Sequence, residues 1–397
     1  MQRSQEVPIH MRRAGFDPVP ELSSLRQHDG IVRVTSGFGV DTWLITRYAD
    51  VRSVLSDWES FSNTMQAGVL ESEAPEPGDD ANAIRATLNL LASDPPEHTR
   101  LRRTVAPEFT ARRLRQLEPR ITGIVNDHLD ALELSGAPGD LVPAFTNPVP
   151  VLVICELLGV PHEDREDFQK RTDGFLDIAT SNAERAALQA ESHAYMAKLV
   201  ARNRVEPGDG LLGRLVSRHG TELDDAELVG LASLLLLAGS ETTSNMLALG
   251  TLALLRHPEQ LDMLRRDPGL VDAAIEELLR WLSILHNTTA KVATRQVQIA
   301  GRTINAGDLV MCSLPAANRD PDFVVRPDEL DITRPASRHV AFGHGPHHCI
   351  GAPLARLQMR IALPALLGRF PGLRLAAEPG FRSGHLTHGL DSLPVMW

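Results

Sequence analysis

A mainly α-helical fold with a minor β part is what this sequence predicts, and three observations carry it. Leu, Ala, Glu and Arg recur at helical spacing over most of the 397 residues. Aromatic residues are only 4% of the chain and β-branched runs are short, which leaves little material for strands. No Gly/Ser-rich linker, low-complexity block or internal repeat separates segments of different character, so residues 1–397 are read as a single domain.

In chain order, GIVRVTSGFGV followed by DTWLITRYADVRSVL predicts a short hairpin feeding a helix. Residues 63–92 are rich in Pro, Gly and acid; a loop of that length is expected to cover a pocket. Helical periodicity then predicts helices over 97–116, 118–134, 149–158, 163–178 and 183–205, a long one from Asp224 to His257, and shorter ones over 258–266 and 270–284. KVATRQVQIAGRTINAGDLVMCSL, broken by AG and NAG turns, reads as small β-structure, and the chain is loop-rich from there to Pro335. A helix from APLARLQMRIALPALLGRF and a terminal hairpin close it.

The stretch Leu231 to Leu255 is apolar enough for a membrane span, but Ser240, Glu241, Thr242, Thr243, Ser244 and Asn245 interrupt its centre. Acidic Asp224 and Asp225 at its start and basic Arg256 and His257 at its end suit the helix dipole, so a buried central helix is expected, and no membrane. The first twenty residues lack the uninterrupted apolar stretch of a secretory signal or anchor, which makes a cytoplasmic protein the expectation. Cys155, Cys312 and Cys349 are too few and too scattered for a disulfide framework. A net charge of −11 excludes nucleic-acid binding as a general function. One stretch runs against it: between His98 and Gln116, Arg100, Arg102, Arg103, Arg112, Arg113 and Arg115 face one glutamate, either as a solvated helix face or as a docking patch.

FGHGPHHCIG, residues 342–351, gathers three histidines and a cysteine. Zinc sites draw on separated pairs of ligands, whereas His347, His348 and Cys349 are adjacent and cannot converge on one tetrahedral centre. A single thiolate on a glycine-punctuated loop suits haem iron better, because the macrocycle brings four nitrogens of its own. Gly343, Gly345 and Gly351 would let the backbone run close to a flat ring, with Phe342 shielding the sulfur. The plainer alternative is a Gly-rich turn before a helix.

Phe342, Gly345, Cys349 and Gly351, continued by Ala355 and Arg356, fill the signature F-x-x-G-x-x-x-C-x-G, and the sequence therefore resembles the haem-thiolate monooxygenases, the cytochrome P450 superfamily, of bacterial soluble and actinobacterial natural-product tailoring type. Three further stretches match in the expected order, so that the resemblance covers the chain from about residue 90. It implies the fold of that family, with haem b between the long central helix and the cysteine loop, and Cys349 as the iron ligand. Ala238-Gly239-Ser240-Glu241-Thr242 resembles the family's oxygen-binding turn: Ala238 and Gly239 would let the haem lie against the helix, and Glu241 and Thr242 are the implied acid and alcohol relay. The plainer reading of that turn is buried hydroxyls bonded back to the helix and a structurally paired Glu241. Glu277 and Arg280 match the family's E-x-x-R, with Glu329 and the arginines Arg319 and Arg334 as the open choices around a third partner. His98 and Arg102 match the propionate-binding helix; His347 and Lys291, the latter where an arginine is usual, are the implied further grips.

The resemblance implies an enzyme that inserts one oxygen atom from O2 into a lipophilic small molecule such as a macrolide, polyketide or terpenoid. Electrons would pass from NAD(P)H through a reductase and a ferredoxin docking on Arg100, Arg103, Arg112 and Arg113, since the chain carries no flavin or iron–sulfur motif of its own. The implied pocket takes in the 63–92 loop, Leu234, Leu237, Ala238, Ile284 to Thr289 with Asn287 and Thr288, and the turn around Leu390. A monomer is expected. Peroxide-driven oxygenation, oxidative coupling and haem sensing are rival uses of a thiolate haem, and the first two tend to replace the Glu241/Thr242 pair that is intact here.

Overall fold

The computed structural model describes residues 7–36, 39–64, 90–165, 182–335 and 337–397. The greater part of the 63–92 loop and of the expected 163–178 helix lies outside the described residues. The helices are α1 (Pro20–His28), α2 (Tyr48–Ser56), α3 (Glu97–Val105), α4 (Ala111–Ser135), α5 (Pro148–Leu158) and α6 (Asn182–Val205). They continue with α7 (Leu211–His219), α8 (Asp225–Arg256), α9 (Pro258–Arg266), α10 (Val271–Leu282), α11 (Leu314–Asn318) and α12 (Ala352–Arg369). The strands are β1 (Arg13–Ala14), β2 (Asp17–Pro18), β3 (Ile31–Thr35), β4 (Asp41–Ile45), β5 (Phe61–Ser62), β6 (Gly139–Asp140) and β7 (Lys291–Ala293). After them come β8 (Val297–Ile299), β9 (Arg302–Ile304), β10 (Leu309–Cys312), β11 (Arg374–Leu375), β12 (Gly380–Phe381), β13 (Leu390–Ser392) and β14 (Pro394–Met396). The chain forms two compact units, one from Met1–Gln66, Leu249–Cys349 and Gly380–Asp391, the other from Ala67–Ala248, Ile350–Pro379 and Ser392–Trp397.

In the first unit a five-stranded sheet runs in the order β3-β4-β10-β7-β5. β3 pairs antiparallel with β4, which places Arg33 opposite Trp43, and β10 joins β4 in parallel with Val310 opposite Trp43. Ile31, Ile45, Val310 and Cys312 turn one face of the sheet onto Val51, Val54 and Leu55 of α2, and Val340 closes that core. Val340 directly precedes the cysteine loop, so burial of this valine anchors the loop's start.

The second unit is helical. On α4, Leu114, Leu117, Ile121, Val125, Leu129 and Leu132 are buried at three- and four-residue spacing, the stripe expected of a helix with one face in a core. α12 packs against α4. The helix expected over 97–116 is broken: α3 stops at Val105, a 3-10 turn spans Ala106–Phe109, and Thr110 is extended (φ −71°, ψ 152°) before α4 begins. Pro107 is the cause, because its ring occupies the space of the preceding turn and it offers no N–H to continue the ladder. α7 was not expected; at nine residues its periodicity is short to read.

α8 contributes to both units and is, among the described residues, a helix long and apolar enough to cross a membrane by length and composition. More than half of its most apolar window is nevertheless buried inside the protein. Its polar centre is satisfied along its own backbone: Ser240 Oγ donates to Leu236 O at 2.9 Å, Thr242 Oγ1 to Ala238 O at 2.7 Å and Ser244 Oγ to Ser240 O at 2.9 Å.

Candidate active site

The cysteine loop is held by backbone. Cys349 N donates to Phe342 O at 2.9 Å and Gly343 N to Val340 O at 2.8 Å, while His348 N closes a 3-10 turn onto Gly345 O at 3.0 Å. Gly343 and Gly345 both lie in the left-handed region (φ 71° and 73°). A Cβ on Gly345 would run into the Leu55 carbonyl oxygen and lie 3.0 Å from its carbon. Gly345 therefore admits the end of α2, whereas a Cβ on Gly343 would meet only the His347 carbonyl oxygen, at 3.9 Å. The Cys349 thiol is exposed, whereas Cys155 and Cys312 are buried, and burial pushes both of their thiols up to about 12. Of the three cysteines, Cys349 is the exposed one.

On α10, Arg280 Nε and Nη2 donate to the two oxygens of Glu277 at 2.7 Å each, a bidentate pair with both side chains buried. The third partner is Arg334, whose Nε reaches Glu277 Oε1 at 3.2 Å. Glu329 meets Arg280 only through its carbonyl, at 3.2 Å, and Arg319 lies over Trp281 and pairs with Asp17 and Asp328. Arg280 Nη1 also donates to Asn318 O and Pro327 O at 2.9 and 2.8 Å. The pair thus ties α10 to the loop region that leads into the cysteine loop.

On α8, Leu234, Leu237, Ala238, Gly239, Glu241 and Thr242 are the less buried residues of an otherwise buried stretch, and the spacing of all but Gly239 puts them on one face. Gly239 is not part of that face: a Cβ there would collide with the side-chain tip of Ile154 on α5 and approach its Cγ1 at 2.8 Å. Close packing of α5 on α8 gives a physical reason for glycine at 239.

α3 carries His98, buried, and Arg102, half-buried, one turn apart on one face. In the first unit His347 is half-buried at the end of the 3-10 turn Gly345–His347. Lys291 of β7 is buried, and its Nζ donates to Asn63 Oδ1 at 2.8 Å and Phe61 O at 3.4 Å. Asn63 is a contact that spacing could not disclose, since it comes from 228 residues away.

A model of the family described as cytochrome P450 matches residues 269–373, which span the E-x-x-R helix and the cysteine loop. Over its whole length the chain is 46% identical to cytochrome P450 FAS1 of Rhodococcoides fascians, covering 100% of both. The chain belongs to the cytochrome P450 family. Pentalenic acid synthase of Streptomyces avermitilis is 44% identical over 97% of this cytochrome P450 and 96% of its own length. The solved structure of P450 StaH, from glycopeptide antibiotic biosynthesis, superposes with a TM-score of 0.88 at 43% identity, covering 99% of this chain and 100% of the other. The protein is thus a cytochrome P450 oxidoreductase of the monooxygenase class with the fold of that family, and it is related over its full length to actinobacterial enzymes.

The donor set fits the haem that the family implies. Among the described residues no group of three or more His, Cys, Asp and Glu side chains is arranged to hold a metal ion by itself. A chain that offers one exposed sulfur suits a metal that arrives with most of its ligands already in a macrocycle.

Two arginines of the stretch between His98 and Gln116 of this cytochrome P450 are ion-paired. Arg100 is joined to Glu97 (2.9 Å, Nε to Oε2) and to Glu227, and both partners hold its guanidinium above the ordinary range. Arg113 lies 3.4 Å from the carboxylate of Glu108, which is buried and also takes Arg214 at 2.6 Å and Arg218 at 3.5 Å. Arg100 and Arg113 are therefore internal ion-pair members; Arg103, Arg112 and Arg115 remain exposed. Of the pocket candidates in the first unit, Ile284 and Leu390 are buried, Asn287 and Thr288 half-buried; Asn287 Nδ2 donates to Thr288 O at 2.8 Å, and Thr288 Oγ1 accepts from Cys312 N at 3.2 Å.

Proposed function

We propose that this cytochrome P450 inserts one oxygen atom from O2 into a lipophilic small molecule, by hydroxylation or epoxidation, as a tailoring step in secondary metabolism. The observation that carries it is the lone exposed sulfur of Cys349 on the backbone-pinned loop Phe342–Gly351. In this reading Cys349 holds haem b, which when bound supplies the activation of dioxygen. His98, Arg102, His347 and Lys291 offer donors to its carboxylates, and Ala238 and Phe342 flank it. The whole chain acts as one catalytic domain, a soluble cytoplasmic monomer fed with electrons from NAD(P)H through a reductase and a ferredoxin.

The protein's own contribution to the chemistry is proton handling and shape. The Thr242 hydroxyl donates its proton to Ala238 O, which leaves its oxygen lone pairs open to accept from water or an acid on the same face of α8. Glu241, its neighbour on that face, is the acid that would resupply the proton. By the family resemblance, Leu234 and Leu237 would supply apolar surface to the substrate, and the 284–289 segment would add Asn287 and Thr288 as polar points, suited to a medium-to-large natural product.

Carbon monoxide added to the reduced, purified protein should give the red-shifted Soret band of thiolate ligation, and Cys349→Ser should abolish it; a wild-type protein without the band ends this reading. Oxidative coupling or peroxide-driven oxygenation on the same fold is the second reading. Turnover driven by ferredoxin and reductase, with Thr242→Ala wasting dioxygen without product, supports oxygen insertion. Turnover with peroxide alone, or coupled products, supports the rival.

A further inference from the structure

The hairpin β1–β2 is tied to the turn after α10, largely through one side chain. Arg13 Nη2 donates to Ser283 O at 2.7 Å, Nη1 to Phe16 O at 3.4 Å and Nε to His286 Nδ1 at 3.4 Å. Phe16 lies 5.0 Å from the Trp281 ring and 6.1 Å, edge-on, from Phe381, which stacks on His388. Ser283 itself sits at φ 41°, the left-handed region that a serine seldom occupies. Its hydroxyl donates to Arg280 O at 2.8 Å and accepts from Asn318 Nδ2 at 2.7 Å. Strain of this kind persists only where the surroundings over-determine it, and here they include Arg13.

The chain beyond Ser283 is extended. Leu285 forms an antiparallel bridge with Thr387, and His388 N donates to Ile284 O at 2.7 Å. Burial alternates accordingly: Ile284 and His286 are buried, Leu285 and Asn287 half-buried. With a two-residue side-chain period, turning His286 toward Arg13 turns Leu285 and Asn287 to the opposite side. Burial and Arg319 lower the Arg13 guanidinium to about 9 against the pull of Asp17, so it stays charged at neutral pH. A guanidinium has no acceptor; His286 Nδ1 must therefore accept, which places the ring proton on Nε2 and holds the imidazole neutral.

We propose that Arg13 is a positioning residue for substrate selection: by fixing the Ser283 carbonyl and the His286 ring it sets the direction of Asn287, while Leu285 packs against the sheet core, and so decides which bulky lipophilic molecules fit. This rests on the reading that residues 284–289 line the substrate pocket. A residue at the start of the chain would then tune a site whose own residues lie 270 positions away.

The test uses the full-length, haem-loaded protein with imidazole as a small probe and clotrimazole as a bulky one, each titrated by the Soret shift. Arg13→Lys and His286→Leu should weaken clotrimazole about five- to tenfold, the order of one lost charge-assisted hydrogen bond, with imidazole unchanged. His286→Gln, which keeps an acceptor for Arg13, should restore clotrimazole binding. Wild-type affinity for clotrimazole in both variants, or equal weakening of both probes, overturns the proposal. If Arg13→Lys does not fold, His286→Leu and His286→Gln decide alone. A wild-type protein without the thiolate band under carbon monoxide is a different failure, since it removes the haem reading before any variant is made.

Discussion

Arg334 Nε meets Glu277 Oε1 at 3.2 Å across 57 residues of chain, completing a carboxylate that Arg280 already grips at 2.7 Å with two nitrogens. Asp331 N adds a fourth contact at 3.1 Å. The pair on α10 has no solvent to fall back on, with side-chain exposures of 0% for Arg280 and 2% for Glu277. Glu277→Ala should therefore cost about 3–5 kcal/mol, because it leaves Arg280 charged and buried without its counter-ion. Arg334→Ala, which removes one contact from a carboxylate still held by Arg280, should cost about 1–2 kcal/mol. Denaturant midpoints at constant slope read both, and an Arg334→Ala loss equal to that of Glu277→Ala would show the two arginines to be equivalent, against the geometry.

Gly239 and Ile154 make a second, sharper test. Alanine at 239 gains about 1 kcal/mol of helix propensity over glycine but meets the Ile154 side-chain tip, an overpacking cost of about 1–3 kcal/mol. Ile154→Ala removes both Cδ1 and Cγ1. Gly239→Ala should be neutral or destabilising in the wild-type background and stabilising by up to about 1 kcal/mol in the Ile154→Ala background, a coupling that a double-mutant cycle measures. Additive effects would mean that Ile154 does not occupy the space glycine leaves open.

These two relationships also mark how far the sequence could be read. The cysteine loop was legible because its signature compresses into ten consecutive residues, and α8 was legible because its length and caps are local. Arg334 was not, since several arginines follow α10 and only the tertiary path of the loop region brings one to Glu277. Gly239 fell within a recognisable motif yet answers to a side chain on another helix, and Gly345 likewise answers to α2. Arg100 and Arg113 read as free charge because their partners Glu227 and Glu108 are matched in space, by α8 and by the turn after α3. The hairpin that carries Arg13 has two-residue strands, below any periodicity signal.

Acid should weaken the protein in a window set by histidines. Burial lowers His10 to about 4, and burial with the nearby Arg13 charge lowers His286 and His388 well below the ordinary value of 6.5. Each folded-state value lies below the unfolded one, so the unfolded chain binds more protons below pH 6.5 and stability falls as pH drops from there toward about 4. Above pH 6.5 these groups contribute no slope. Asp308 and Asp331, whose values are lowered from 3.8, carry stability that is present above 3.8 and lost below it. His10→Leu should recover up to about 3 kcal/mol of the acid loss. Thermal midpoints between about pH 4.5 and 7.5 check this; wild-type and His10→Leu curves that run parallel would assign the loss to other groups.

The arginines that stay exposed separate docking from folding. Arg103 and Arg112 face solvent, whereas Arg100 is bound by Glu97 and Glu227. Charge steering acts through exposed charge and is screened by salt within about 8–10 Å, so reversing Arg103 or Arg112 to Glu should slow reduction by an acidic ferredoxin and flatten its dependence on ionic strength. Arg100→Ala removes one unit of charge where each reversal changes two, so it should flatten that salt slope less than either reversal, and should cost at most about 1 kcal/mol of stability. Stopped-flow reduction at a series of salt concentrations distinguishes the cases. A flattened slope for Arg100→Ala with wild-type slopes for Arg103→Glu and Arg112→Glu would move the docking charge off the exposed face and onto the ion-paired one, and the patch would have to be redrawn around Arg100.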